Sequence, residues 1–150
     1  LVFSTLHTND APSSLTRLID MGLEPFLISS SLILIVAQRL VRQVCPKCKE
    51  DHSPSPAALK DLGLDVATKF FHGKGCPACK NSGFTGRIGI FEVLIINEAI
   101  RKMIEAKSSA DVIRKKAIEL GMKTLREDGL EKAKQGVTTL EEILRVTEME

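Results

Sequence analysis

Tryptophan and tyrosine are absent from this sequence, and six phenylalanines are its whole aromatic content. So few rings argue against a base-stacking surface for single-stranded nucleic acid. An excess of one charge is missing too. Lysine and arginine number 21 against 19 aspartates and glutamates, a net charge of +2. The totals therefore give no push toward nucleic acid or a membrane surface. Long hydrophobic runs are lacking. The longest, residues 26–37, has twelve residues with three serines inside it. That is too short to span a bilayer and fits a buried helix. No secretory signal or transit segment is evident, and the expectation is a soluble, cytoplasmic protein. No internal repeat is evident. Leu1 to Leu6 already reads as a buried strand with no lead-in, so the chain is expected to be a piece of a larger protein.

What is present centres on cysteine. There are four, in two pairs: Cys45-Pro46-Lys47-Cys48, then 27 residues, then Cys76-Pro77-Ala78-Cys79. Two Cys-x-x-Cys turns can present four thiolates to one tetrahedral ion, an arrangement zinc prefers. Lys47, Lys49, Lys74 and Lys80 lie close by in sequence, and their charge would favour the thiolate form. Gly73, Gly75 and Gly83 flank the second pair, where a metal knuckle needs tight turns. A pair of disulfides, a redox Cys-x-x-Cys and an iron–sulfur cluster are the alternatives. A closed four-sulfur site has no open position for water or substrate, so the metal is expected to hold structure rather than catalyse.

The 43% hydrophobic content over 150 residues suffices for one ordinary core. After residues 1–6, Asn9 or Asp10 can cap a helix with Pro12 in its first turn; Leu15, Leu18, Ile19 and Met21 form its apolar face and Gly22 its stop. His7 stands at the end of the strand, where ligands collect in open α/β sheets; locally it also reads as a turn or capping histidine. A second helix is expected from Glu24-Pro25 to about Ala37, followed by a half-buried strand over 38–44. Arg39 and Arg42 read as surface charges or as groups reaching a phosphate or carboxylate across an interface. Residues 57–62 look like a short helix ending at Gly63. Residues 86–96 alternate cleanly, with Ile88, Ile90, Glu92, Leu94 and Ile96 on one side; both sides are mainly apolar, which predicts a strand covered on both faces. Four helical patterns follow and suggest a small bundle. Val112, Ile113, Ala117 and Leu120 are expected inward on the second of them, while Arg114, Lys115, Lys116 and Glu119 read as a solvated face. Thr139 with Glu142 is a capping box.

Together these residues resemble the C-terminal part of a bacterial secretion or pilus-assembly ATPase of the GspE/PulE/PilB family. Ser4-Thr5-Leu6-His7-Thr8-Asn9-Asp10-Ala11-Pro12 is similar to its histidine box, and Ala37-Gln38-Arg39-Leu40-Val41-Arg42 to the segment before its metal lobe. Cys45 to Cys79 resembles its tetracysteine motif. Gly86-Arg87-Ile88-Gly89-Ile90-Phe91-Glu92, Thr124-Leu125-Arg126-Glu127-Asp128-Gly129 and Thr138-Thr139-Leu140-Glu141-Glu142-Ile143 resemble later motifs.

The resemblance implies an α/β fold: a truncated RecA-like ATPase core over 1–44, a tetracysteine zinc lobe over 45–85, and a strand with a C-terminal helical bundle over 86–150. It implies a hexameric motor on the cytoplasmic face of the inner membrane. That motor binds ATP and Mg2+, and its hydrolysis drives protein secretion or pilus assembly through inner-membrane platform proteins. In it His7 matches a histidine thought to approach the γ-phosphate, Cys45, Cys48, Cys76 and Cys79 match zinc ligands, and Arg39 and Arg42 are candidate subunit-interface residues. No Gly-x-x-x-x-Gly-Lys-Ser/Thr loop occurs, nor an acidic strand upstream of His7, so the chain alone is not expected to hydrolyse ATP. The alternative is a zinc-stabilised module that docks on inner-membrane secretion or pilus components. A nucleic-acid-binding zinc ribbon has the right cysteines but lacks the basic excess and aromatics.

Overall fold

The computed structural model describes residues 1–65 and 67–147. Its elements in order are α1 (Ala11–Asp20), α2 (Pro25–Ser31), β1 (Leu34–Val44), β2 (Lys49–His52), α3 (Pro56–Asp61), β3 (Phe70–Gly73), β4 (Phe84–Ile95), α4 (Glu98–Glu105), α5 (Ala110–Glu119), α6 (Leu125–Lys134) and α7 (Leu140–Thr147), with a 3-10 turn at Pro77–Cys79. This is a mixed α/β protein. β1 pairs with β4, and β2 pairs antiparallel with β3. The chain divides into two compact units: Leu1–Gln38 with Phe91–Leu125, and Arg39–Ile90 with residues 126–147. The four C-terminal helices are thus shared between the units, α4 and α5 in the first and most of α6 and all of α7 in the second.

In the first unit Asp10 caps α1, its Oδ1 accepting the Ser13 N–H at 2.7 Å, and Pro12 lies in the first turn. Such a cap contributes about 1 kcal/mol. The helix ends at Gly22, whose φ of +88° suits a residue without a side chain. Leu15 is buried, and Leu18 and Ile19 pack partly against the same core, but Met21 at the C-terminal end of α1 is exposed. That core gathers Leu15 and Ile28 with Leu94, Ile100, Ile104 and Ile113. Each such side chain contributes roughly 1.5–3 kcal/mol by leaving water. α2 packs on α4 and α1 on α5. The Ser29 hydroxyl donates to Glu105 at 2.8 Å, and Arg101 donates to the Ser29 carbonyl.

Several expectations for this unit are corrected. Residues 1–6 form no strand; Leu1, Val2 and Phe3 are exposed. A β-favouring run becomes a strand only when a neighbour satisfies its ladder, and none lies beside it among the described residues. The helix expected to about Ala37 ends at Ser31. From Leu34 the chain is strand, because Ile35 and Val36 are β-branched and β4 offers a partner. Nor is α2 buried all round, since Phe26 is 69% exposed. β4 is covered on one face only: Glu92 and Leu94 are buried, whereas Phe91, Val93 and Ile95 are exposed. On α5, Ile113 and Ala117 point inward but Val112 and Leu120 do not. A further correction concerns Arg114. It leaves the solvated face and pairs with Asp10 at 2.7 Å, while Lys116 and Glu119 do pair in solvent at 2.9 Å.

In the second unit β2 and β3 form a short hairpin-like ladder from Lys49↔Gly73 to His52↔Phe70. α3 ends at Gly63 as expected, with φ +65°. Phe70, Val41, Leu59, Ile90, Leu140 and Ile143 are buried. The Thr139–Glu142 capping box is half formed. Thr139 Oγ1 accepts the Glu142 N–H at 3.1 Å, but the Glu142 side chain turns to Arg42 instead.

Candidate functional site

Both cysteine pairs are built as the same turn. The Cys45 carbonyl accepts the Cys48 N–H at 3.2 Å, and the Cys76 carbonyl accepts the N–H of Cys79 at 3.1 Å and of Asn81 at 2.9 Å. Lys80 and Asn81 take the left-handed conformation, with φ of 52° and 60°, so that the second turn can close. The Cys45 N–H donates to the Gly83 carbonyl at 2.9 Å, and the Lys74 N–H donates to the Cys48 carbonyl at 3.1 Å, which ties each turn to the segment around the other.

The result brings all four sulfurs within 4.8 Å of one another. Cys45–Cys76 and Cys48–Cys79 are 3.9 Å apart and Cys76–Cys79 3.7 Å. A tetrahedron with Zn–S bonds of about 2.3 Å has sulfur–sulfur edges of about 3.8 Å. The donor set, burial and edge lengths therefore fit a zinc ion, and the spacings are far from the roughly 2.05 Å of a disulfide. The four thiols are free.

The thiolates are helped by groups that the spacing of lysines did not indicate. Lys49 sits 4.2 Å above the Phe71 ring, and Lys74 pairs with Glu50 at 3.6 Å. Backbone N–H groups act instead. Cys76 and Gly83 donate to the Cys79 sulfur at 3.2 and 3.3 Å. Burial opposes ionisation of Cys79, yet these donors and the neighbouring thiols draw it down to about 6. The Thr85 hydroxyl is the main influence lowering Cys45. Burial pushes Cys48 up to about 12. One dication in place of the shared protons would resolve that conflict.

Close backbone approach holds the knuckles in place. A Cβ on Gly73 would stand 2.2 Å from the Gly83 carbonyl oxygen, the acceptor for Cys45. Gly73→Ala is expected to cost at least about 2 kcal/mol and to speed metal release to a chelator. A thermal melt and a chelator-release trace matching the unsubstituted protein would contradict this.

The other candidate residues are placed apart from the cysteines along the chain. His7 is exposed in the turn before α1, beside an open cavity of about 290 Å3 lined by His7, Thr8, Asn9, Ser13, Thr16 and Arg17 among others. Arg42 is bound within the chain. Its Nη2 donates to Glu142 Oε2 at 2.7 Å, its Nε and backbone N–H to Oε1 at 3.1 Å, and its guanidinium lies 4.1 Å above the Phe84 ring. Arg145 donates to the same carboxylate at 2.7 Å. Burial works against ionisation of Glu142, but the two arginines outweigh it and hold the carboxyl down to about 2. Arg39 is half-buried on β1.

Sequence reasoning gave no role to Glu92. It is 0% exposed, its Oε1 accepts the Ala11 N–H at 2.9 Å, and its Oε2 is buried without a hydrogen-bond partner. Burial raises its pKa, with the Ala11 N–H acting against and Asp10 adding to the rise. The available signal was a carboxylate on an apolar strand face, between Ile90 and Leu94.

Fold and site together define a small mixed α/β protein with a cluster of four cysteines that could hold a metal ion. A family model described as a type II/IV secretion system protein matches residues 1–145. The type IV pilus assembly ATPase PilB of Thermus thermophilus is 50% identical, over 98% of this chain and 17% of its own length. The type II secretion system ATPase E of Vibrio cholerae is 44% identical, over 98% of this chain and 29% of its own. The type II secretion system protein E of Dickeya dadantii is 46% identical, over 100% and 30%. The chain belongs to the type II/IV secretion system protein family, and it spans less than a third of the length of these relatives. Among the described residues no helix is long and apolar enough to cross a membrane.

Proposed function

We propose that this chain is the C-terminal portion of a hexameric motor ATPase with a RecA-like core, which hydrolyses ATP to power type II secretion or type IV pilus assembly. The observation that carries this is similarity along essentially the whole chain, at 44–50% identity, to proteins named as secretion and pilus assembly ATPases. The exposed apolar face of β4 and the exposed residues 1–6 support further core structure covering them in the longer protein. In this reading ATP and Mg2+ bind to the longer protein and His7 approaches the γ-phosphate. Arg39 reaches a neighbouring subunit, joined by the part of Arg42 that Glu142 leaves exposed. The motor is cytoplasmic and works at the inner membrane through platform proteins. Cys45, Cys48, Cys76 and Cys79 hold a structural zinc, which when bound supplies a cross-link and, with four sulfurs around it, no place for water.

The chain on its own acts, in a second reading, as a zinc-stabilised module that docks on inner-membrane secretion or pilus components. The lack of a Gly-x-x-x-x-Gly-Lys-Ser/Thr loop in its sequence favours that description of the isolated piece.

His7→Ala in the full-length protein is expected to lower the Mg2+-dependent kcat at least about tenfold, with a smaller change in KM. The 150-residue chain alone is expected to show no hydrolysis. An unchanged kcat refutes the role of His7. A magnesium-dependent rate from the isolated chain, lost on His7→Ala, refutes its inactivity.

A further inference from the structure

The N-terminus of α1 is held from two sides by carboxylates. Asp10, almost fully buried, caps Ser13 with one oxygen and takes Arg114 of α5 on the other at 2.7 Å. Glu92 of β4 takes the Ala11 N–H at 2.9 Å. Pro12 has no N–H, so these two carboxylates satisfy both donors among the first three residues of the helix.

Glu92 is costly where it stands. It replaces an apolar residue in the row Ile90, Leu94, Ile96, all buried, and its second oxygen has no hydrogen-bond partner. A buried carboxylate with one oxygen outside any close hydrogen bond destabilises a core that leucine would fill. Local rules are broken in this way where function asks for it. What the carboxylate holds most closely is the backbone of Ala11, three residues after Thr8 and four after His7, with Arg114 and the Leu125 backbone also acting on its charge.

We propose that Glu92 is a positioning residue for the His7–Asn9 turn. Through Oε1 it pins the first N–H of α1 to β4, while Arg114 pins Asp10 to α5. With residues 10 and 11 both fixed, and the Thr8 hydroxyl 2.7 Å from that of Ser14 on the same helix, the turn before α1 stands on a rigid base and His7 stands in one place rather than many. The placement of His7 follows from geometry alone; its consequence for hydrolysis rests on the nucleotide reading of His7.

The first test reads the placement. In the 150-residue chain, two-bond 15N–1H imidazole correlations report His7, His52 and His72 separately. Glu92→Leu removes the acceptor and should shift or broaden the His7 signals. Glu92→Gln keeps an oxygen for Ala11 and should restore them. His52 and His72, on the β2–β3 ladder, report whether the fold is intact. Arg114→Met releases Asp10 without placing an apolar group against Ala11, and should also move His7 if the leucine variant does not fold. Unmoved His7 signals in a folded Glu92→Leu protein, or in Arg114→Met where leucine does not fold, overturn the proposal.

The second test reads the consequence, in the full-length protein. Glu92→Leu should lower kcat about tenfold with KM within about threefold, and Glu92→Gln should recover most of it. In a His7→Ala background Glu92→Leu should cost less than about twofold more, because the two act through one group. Equal losses in both backgrounds overturn the positioning role. If His7→Ala itself leaves kcat unchanged, the nucleotide reading fails, and the imidazole signals alone decide the placement.

Discussion

Chelation of the proposed zinc, or replacing Cys48 with serine, is expected to unfold the lobe between Cys45 and Gly83. Little else holds that lobe together. Its only described ladder is the four-residue pairing of β2 with β3, and a two-stranded ribbon is marginal in water. The turns that carry the sulfurs place Lys80 and Asn81 in the left-handed conformation, at a cost of about 1–2 kcal/mol each. A structural zinc contributes about 10–16 kcal/mol of apparent binding energy near neutral pH, far more than these penalties. Elemental analysis should find about one zinc per chain, and far-UV circular dichroism should lose signal on chelation. The melting temperature of the Cys48→Ser variant should fall by more than 10 °C, since a loss of several kcal/mol is involved. A metal-free protein with an unchanged spectrum and melt would refute the zinc assignment.

Glu142→Ala carries the other large effect. This carboxylate is 1% exposed and accepts from the backbone N–H, Nε and Nη2 of Arg42 and from Nε and Nη2 of Arg145. Alanine leaves the Arg42 N–H without its acceptor and frees two guanidinium groups, a loss of about 3 kcal/mol. The pH dependence follows from the depressed carboxyl, held at about 2 against an ordinary 4.5. A group whose folded pKa is lowered contributes stability that is complete above the unfolded value and is lost as pH falls toward the folded one. The window therefore runs from about 4.5 down to about 2. The full shift corresponds to roughly 3 kcal/mol, nearer 2 because both arginines are half exposed to screening solvent. Urea midpoints of the unsubstituted protein and of Glu142→Ala should differ most at pH 6–7 and converge by about pH 2–3. A gap that stays constant across that range would show that the pair's charge contributes nothing.

The cysteine turns were legible because their information is local. A Cys-x-x-Cys spacing, glycines nearby and no other cysteine leave few ways to use four thiols, and the structure brings the sulfurs to one point. The cap of α1 was legible for the same reason: Asp10, Pro12 and Ser13 lie within one turn. Residues 26–37 misled, because an apolar run without strict period reads equally as buried helix or strand until β4 supplies a partner. The second face of β4 misled in the opposite direction. Phe91, Val93 and Ile95 have the composition of a buried face but stay exposed.

The remaining differences concern charged groups. Arg114, Arg42, Glu142 and Glu92 each stood in a pattern with a sufficient local explanation, as outer-face charge, surface arginine, capping-box acid or strand residue. Each has a partner 81 to 104 residues away in sequence. The sequence by itself determined the four-cysteine cluster, the helix starts and the family resemblance, because each is written in neighbouring residues. Only the tertiary structure decided which charges are buried, what pairs with them and which strand face stays open, because burial and pairing depend on groups that the folded chain, not its order of residues, brings into contact.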